Sequence, residues 1–110
     1  MLNRSVLILG YQQPFVDWIN TLDPSHQTTL TEANDDNTAY LVEVEDDEEL
    51  EEWLEVNGEI LFEGELNVWC TDPGLWPQER SLEVLRKWCA FELHSVVMDT
   101  GGSPLYDDED

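Results

Sequence analysis

His94 and Glu92 are the residues in this sequence whose types and spacing come closest to a chemical site. Residues two apart in a β-strand share a face, so we expect the carboxyl group of Glu92 to lie beside the imidazole of His94. Such a pair occurs in acid–base sites and in metal sites. It is also what a structural histidine bonded to a nearby acid looks like, and we favour that interpretation because no further motif supports catalysis.

Metal and cofactor motifs give the pair no support. The only other histidine in the sequence, His26, lies in a polar segment, and there is no His-x-x-x-His, no Cys-x-x-Cys and no Asp-x-Asn-x-Asn-Gly calcium loop. We therefore predict no cofactor, no metal and no enzymatic activity. An enzyme or metal-dependent protein that uses His94 and nearby carboxylates is the alternative hypothesis.

The second candidate is an acidic segment, residues 43–66, which holds twelve Asp or Glu residues and no Lys or Arg. Glutamates at i, i+4 spacing would form one face of a helix within it. We call them the acidic row: Glu51, Glu55, Glu59 and Glu63. The row fits either a solvated face that keeps the protein soluble or a docking surface for a basic protein. Trp76, in a loop with Pro and Gly, is a hypothetical aromatic anchor for such a partner.

Mimicry of DNA is a further hypothesis for the acidic segment. Residues 48–63 carry seven carboxylates, which a helix would spread over about 22 Å, or one charge per about 3 Å. Duplex DNA carries one charge per about 1.7 Å of its axis. The helix alone therefore has about half the charge density of a duplex, so a mimic inhibitor of a nucleic-acid-binding protein would need other acidic surface as well.

The overall charge limits the partners. The 110 residues include 26 acidic and 4 basic side chains, for a formal net charge of −22. Direct binding to nucleic acid or to an anionic membrane needs a basic surface, so neither is expected. The two cysteines, Cys70 and Cys89, and the lack of a secretory signal pattern at the start predict a cytoplasmic protein with reduced thiols. The oligomeric state is not predicted.

The chain has the pattern of one α+β domain over residues 1–99, followed by a flexible acidic tail over 100–110. A three-stranded sheet covered by two main helices plus a short helix is expected, with strands near 4–9, 38–44 and 91–98 and helices near 14–22, 47–68 and 82–89. The first strand is apolar on both faces, which predicts a central strand buried on both sides.

The long helix should bury one apolar stripe at helical period. Its predicted members are Leu50, Trp53, Leu54, Ile60, Leu61 and Val68. Gly58 and Gly64 interrupt the stripe, and we expect them to mark a bend, a break or a close approach to the sheet.

Four stretches of the sequence together resemble a family of small, very acidic bacterial proteins of unknown function. They are LNRSVLIL, QPFVDWINTLD, AYLVEVEDDEELEEWLE and LWPQERSLEVLRKWCAFELHSVVMD, and they cover most of residues 2–99. The resemblance implies a bacterial cytoplasmic protein and implies no activity.

Overall fold

A computed structural model of the chain describes residues 4–98, and the predicted tail lies outside them. The elements in chain order are β1 (Ser5–Tyr11), α1 (Gln13–Leu22), α2 (Leu30–Ala33), β2 (Thr38–Val42), α3 (Asp47–Trp69), α4 (Leu82–Trp88) and β3 (Cys89–His94). A short 3₁₀ turn at Pro73–Leu75 lies between α3 and α4. The predicted α+β class, with one three-stranded sheet and its covering helices, is confirmed.

The sheet has the order β2-β1-β3, and both pairings are antiparallel. The central position of β1 is therefore confirmed, but its predicted burial on both faces is wrong. Residues Ser5, Leu7, Leu9 and Tyr11 are buried, while the residues between them are only half-buried, because the helices cover one face of the sheet. The other face is the open face, where side chains from neighbouring strands screen β1 in part.

The boundaries of β1 and β3 differ from the predicted ones. β1 continues through Gly10 to Tyr11 because these residues pair with Ala90 and Cys89 of β3. β3 ends at His94, where its last pairing with β1 lies, and does not continue over residues 95–98.

Helix α3 runs through both of its interior glycines without a break. The side chain of Asp46 caps its first turn by accepting a hydrogen bond from the amide of Glu49 at 2.9 Å. A Cβ atom on Gly58 would lie 3.2 Å from Cδ2 of Leu85, so the close approach is to α4 and not to the sheet. A Cβ on Gly64 would meet no atom within 4 Å.

The apolar stripe of α3 is only partly as predicted. Leu50, Leu54 and Leu61 are buried, as expected, and Trp53 is half-buried. Ile60 and Val68, however, are 73% and 69% exposed, which contradicts the prediction. The core positions instead include Phe62, Glu65 and Leu66. Consecutive helical residues lie about 100° apart, so a stripe centred on residues 61, 62, 65 and 66 turns residue 60 outward. Val68 lies on the same side of the helix as Leu61 but is exposed in the last turn of α3.

An aromatic cluster joins the helices to the sheet. Phe15 of α1 is fully buried, and its ring centroid lies 4.4 Å from that of Tyr11, 5.6 Å from that of Trp18 and 5.6 Å from that of Trp88. Phe62 of α3 lies 5.7 Å from Trp88. Tilted and edge-on pairs of this kind add to the free energy of area burial. Trp18 is partly buried and packs against the core through these contacts.

The two glycines of α3 should respond in opposite ways to substitution. Gly64→Ala should raise the free energy of unfolding by up to about 1 kcal/mol, because alanine favours the helix and the added Cβ meets open space. Gly58→Val should lower it by about 1–3 kcal/mol, because its methyl groups would overlap with Leu85. Urea unfolding of both variants measures the two effects, and an equal change in both would contradict this packing of α3 on α4.

Candidate functional site

The acidic row runs along the flank of α3 next to α4, and its two ends are paired. Glu51 forms an ion pair with Arg86 of α4, and Glu63 Oε2 lies 3.2 Å from Nε of Arg80. Between them, Glu55 and Glu59 are exposed and have no ion-pair partner among residues 4–98. Long-range contacts to α4 and its preceding loop therefore neutralise only the ends of the row.

All four Lys and Arg side chains of the chain are engaged in ion pairs. Besides the two pairs on α3, Arg4 Nη1 lies 3.1 Å from Glu43 Oε2, and Lys87 Nζ lies 3.6 Å from Glu83 Oε2. Exposed ion pairs contribute at most about 1 kcal/mol each to the free energy of unfolding. Their main effect here is on the distribution of surface charge, because they determine which carboxylates have a positive charge beside them.

Five glutamates of α3 are left exposed without an ion pair in the described part of the chain, and one of them, Glu49, accepts a hydrogen bond from the amide of Glu45 at 2.7 Å. We call the other four the unpaired cluster: Glu48, Glu52, Glu55 and Glu59.

Trp76, the hypothetical anchor, is half-buried and packs against the core. Its indole N–H donates a hydrogen bond to the carbonyl of Cys70 at 2.8 Å, and the Arg80 guanidinium lies 5.9 Å from the ring centroid. The guanidinium therefore lies at cation–π distance from the ring. Use of Trp76 by a partner stays a prediction.

The structure brings His94 and Glu92 together as the strand spacing predicts. His94 Nε2 lies 2.9 Å from Glu92 Oε2, and the two side chains are 49% and 67% exposed. Both lie on the open face of the sheet, opposite Val6 and Ile8 of β1. Within residues 4–98, no group of three or more His, Cys, Asp or Glu side chains is placed to hold a metal ion. The geometry is that of an exposed hydrogen-bonded pair.

The most unusual polar residue is one that the sequence reasoning missed. Glu65 of α3 is 1% exposed, in the middle of the core. The Tyr11 hydroxyl donates a hydrogen bond to its Oε1 at 2.7 Å, and the Tyr40 hydroxyl donates to its Oε2. Trp69 in turn donates from its indole N–H to the Tyr11 oxygen at 3.1 Å. Both carboxyl oxygens thus have a donor, which is what burial of this group requires.

A signal for Glu65 was present in the sequence. It lies four residues after Leu61 and eleven after Leu54, on the same side of the helix as both. A glutamate at a core position of an apolar stripe needs hydrogen-bond donors, and the strands offer two tyrosines that point to the same face of the sheet. Which tyrosines would meet it depends on how β1 and β2 pair, and the sequence does not specify that pairing.

The hydrogen-bonded network shifts the titration of its tyrosines. Burial is the largest cause, and the hydrogen bond to Glu65 adds to it, so the pKa values of Tyr11 and Tyr40 lie well above the ordinary value of 10.0. Burial likewise raises the pKa of the Cys89 thiol, with the Glu65 carboxylate as the second cause. Cys70 and Cys89 are both free thiols; Cys70 is half-buried and Cys89 is buried.

No family model, no curated protein and no solved structure matches the chain. The resemblance to acidic bacterial proteins therefore stays a prediction. Among residues 4–98, no helix is long and apolar enough to cross a membrane.

The raised tyrosine pKa values predict a loss of stability in alkali. The unfolded chain releases its tyrosine protons near pH 10.0, whereas the folded chain retains them to higher pH, so stability should fall as the pH rises above about 10. Tyr40→Phe removes one of the two groups, so the variant should lose stability less steeply over this range, although it starts about 1–3 kcal/mol less stable.

Tyrosinate absorbance measures this titration directly. Tyr106 lies outside the described residues, so Tyr106→Phe is the background in which only Tyr11 and Tyr40 report. In that background the tyrosinate signal should appear together with unfolding. A folded protein in which both tyrosines titrate near pH 10 would contradict the buried network.

The two thiols should differ in reactivity. Under native conditions Cys70 should be alkylated first, because the Cys89 thiol is buried and its pKa is raised, so little thiolate is accessible there. Mass spectrometry after timed exposure to iodoacetamide gives the two rates, and urea should make them similar. Equal rates in the native protein would show that Cys89 is not buried as described.

Proposed function

We propose that this protein is an interaction module that docks a basic partner protein on the exposed side of α3. The observation that carries the proposal is the unpaired cluster, in which four exposed carboxylates on one helix form no ion pair within the described chain. A positive surface on a partner would supply the missing countercharges.

The placement of the four cations supports docking over a purely solubilising role. A solubility device needs negative charge, but it does not need that charge gathered on one helix. Here Arg80 and Arg86 neutralise the ends of the acidic row and leave its middle uncompensated. The resulting potential attracts cationic surfaces and speeds their encounter with this side of the molecule.

The same ion pairs weigh against DNA mimicry by the helix alone. Without Glu51 and Glu63, five of the seven carboxylates over residues 48–63 remain, or one per about 4.5 Å. That is well below the density of a duplex, which carries one charge per about 1.7 Å. A partner with a basic protein surface does not require the carboxylates to be as dense or as regularly spaced as the phosphates of DNA.

The His94–Glu92 pair takes no part in this docking surface. It lies on the open face of the sheet, and α3 covers the opposite face. The proposal includes a cytoplasmic bacterial setting, which the free thiols and the resemblance support.

Neutralising the middle of the acidic row should abolish docking and leave the fold intact. Glu55→Gln with Glu59→Gln removes three repulsive i, i+4 contacts, so stability should hold or rise by up to about 1 kcal/mol. Proteins captured from a lysate by the parent, and released by about 300 mM NaCl, should be absent from the capture by the variant.

A matched control separates this surface from total charge. Asp35→Asn with Asp36→Asn changes the net charge by the same amount in an exposed turn outside α3, and it should retain the captured proteins. If both double variants lose their partners alike, binding depends on overall charge only. If the α3 variant keeps every partner, the unpaired cluster is not a docking surface.

A further inference from the structure

A groove runs between the edge strand β2 and the flank of α3 that lies away from α4. Its volume is about 280 Å³. It is lined by Tyr40, Trp53, Asn57, Ile60, Leu61 and Gly64. None of these side chains is charged, although the chain carries a net charge of −22. The groove is therefore a local apolar surface on a strongly acidic molecule.

The groove is open to an incoming side chain. Ile60 on its rim is 73% exposed, and Val56, one turn earlier on the helix, is 78% exposed. At Gly64 the space beside the helix is empty, since an added Cβ would meet no atom within 4 Å. Exposed apolar groups gathered in this way are typical of contact surfaces.

The size of the groove fits a side chain better than a whole ligand. Small-molecule sites usually enclose about 300–1,000 Å³. A cavity of about 150 Å³ is enough to hold benzene. A volume of about 280 Å³ therefore accommodates one large aliphatic or aromatic side chain, with room for part of its neighbour.

The charges beyond the rim of the groove select the rest of the partner. Val56 lies one helical turn before Ile60 on the rim, and Glu52 and Glu59 of the unpaired cluster lie one turn to either side of Val56, at i−4 and i+3. Lys or Arg residues on either side of an anchored apolar residue would thus meet carboxylates that have no cation of their own in the described chain. A second copy of this chain would bring the same acidic rim and be repelled.

We propose that the groove binds a large apolar side chain of a basic protein segment, with Lys or Arg residues flanking that side chain and facing the unpaired cluster. The inference rests on the proposed docking function and adds the chemical pattern that the partner presents. Electrostatic attraction selects basic partners, and the groove selects among them by burial of the apolar anchor.

Matched peptides test the pattern on the full chain. The probes are Lys-Lys-Leu-Lys-Lys, Lys-Lys-Ser-Lys-Lys and Glu-Glu-Leu-Glu-Glu, and the measurement is the NMR shift of the Trp53 indole and the Ile60 methyl groups. The Leu peptide should bind about tenfold or more tightly than the Ser peptide, because an aliphatic side chain is buried. The acidic peptide should not bind.

Two variants locate the binding in the groove. Gly64→Leu places a side chain in the groove, at a position where an added Cβ meets open space. The variant should bind the Leu peptide only as weakly as it binds the Ser peptide. Ile60→Ser changes an exposed rim residue and should weaken the Leu peptide several-fold, which keeps the test valid if the first variant is misfolded.

The outcomes distinguish this inference from the proposed function. Equal affinity for the Leu and Ser peptides, or no shift at Trp53 and Ile60 with any peptide, overturns the groove as an anchor site. If the binding of both basic peptides is still lost when Glu55 and Glu59 are changed to Gln, the proposed docking on the unpaired cluster stands. If the acidic Leu peptide binds as tightly as the basic one, the charge selection is wrong.

Discussion

The buried carboxyl group of Glu65 is the interaction on which the arrangement of this protein depends. It receives hydrogen bonds from Tyr11 on the central strand and from Tyr40 on an edge strand, so one side chain of α3 is tied to two strands at once. A buried carboxyl group without partners is strongly unfavourable, so alternative rotations of α3 about its axis are disfavoured. The polar network in this way selects one rotation among those that would bury leucine equally well.

That rotation decides what the rest of α3 presents to its surroundings. With Glu65 facing the sheet, Gly58 faces α4 closely enough to contact Leu85, and Gly64 faces the groove beside β2. The middle of the acidic row then points to solvent, and its ends meet arginines from the α4 side. One buried contact thus sets the position of the charged surface and of the apolar groove on the other flank of the helix, and Tyr40 belongs to both the network and the groove wall.

The charge distribution shows how a chain with a net charge of −22 remains compact. Its four cations each meet a carboxylate, and three acidic residues lie in the first turn of α3, where the helix dipole favours them. The remaining carboxylates repel one another on the surface, where water and salt weaken the repulsion. Hydrophobic burial around Phe15 and Phe62 then has to offset only a moderate electrostatic penalty.

The sequence by itself determined the α+β class, the approximate elements, the central position of β1 and the exposure of Glu55 and Glu59. Those properties follow from local periodicity and apolar content, which act within one element. The tertiary structure alone decided that β1 is covered on one face, that Ile60 is exposed, that Arg80 and Arg86 reach the acidic row, and that Glu65 meets two tyrosines. Each of these depends on which residues from distant parts of the chain face each other, and residue spacing within one segment carries no information about that.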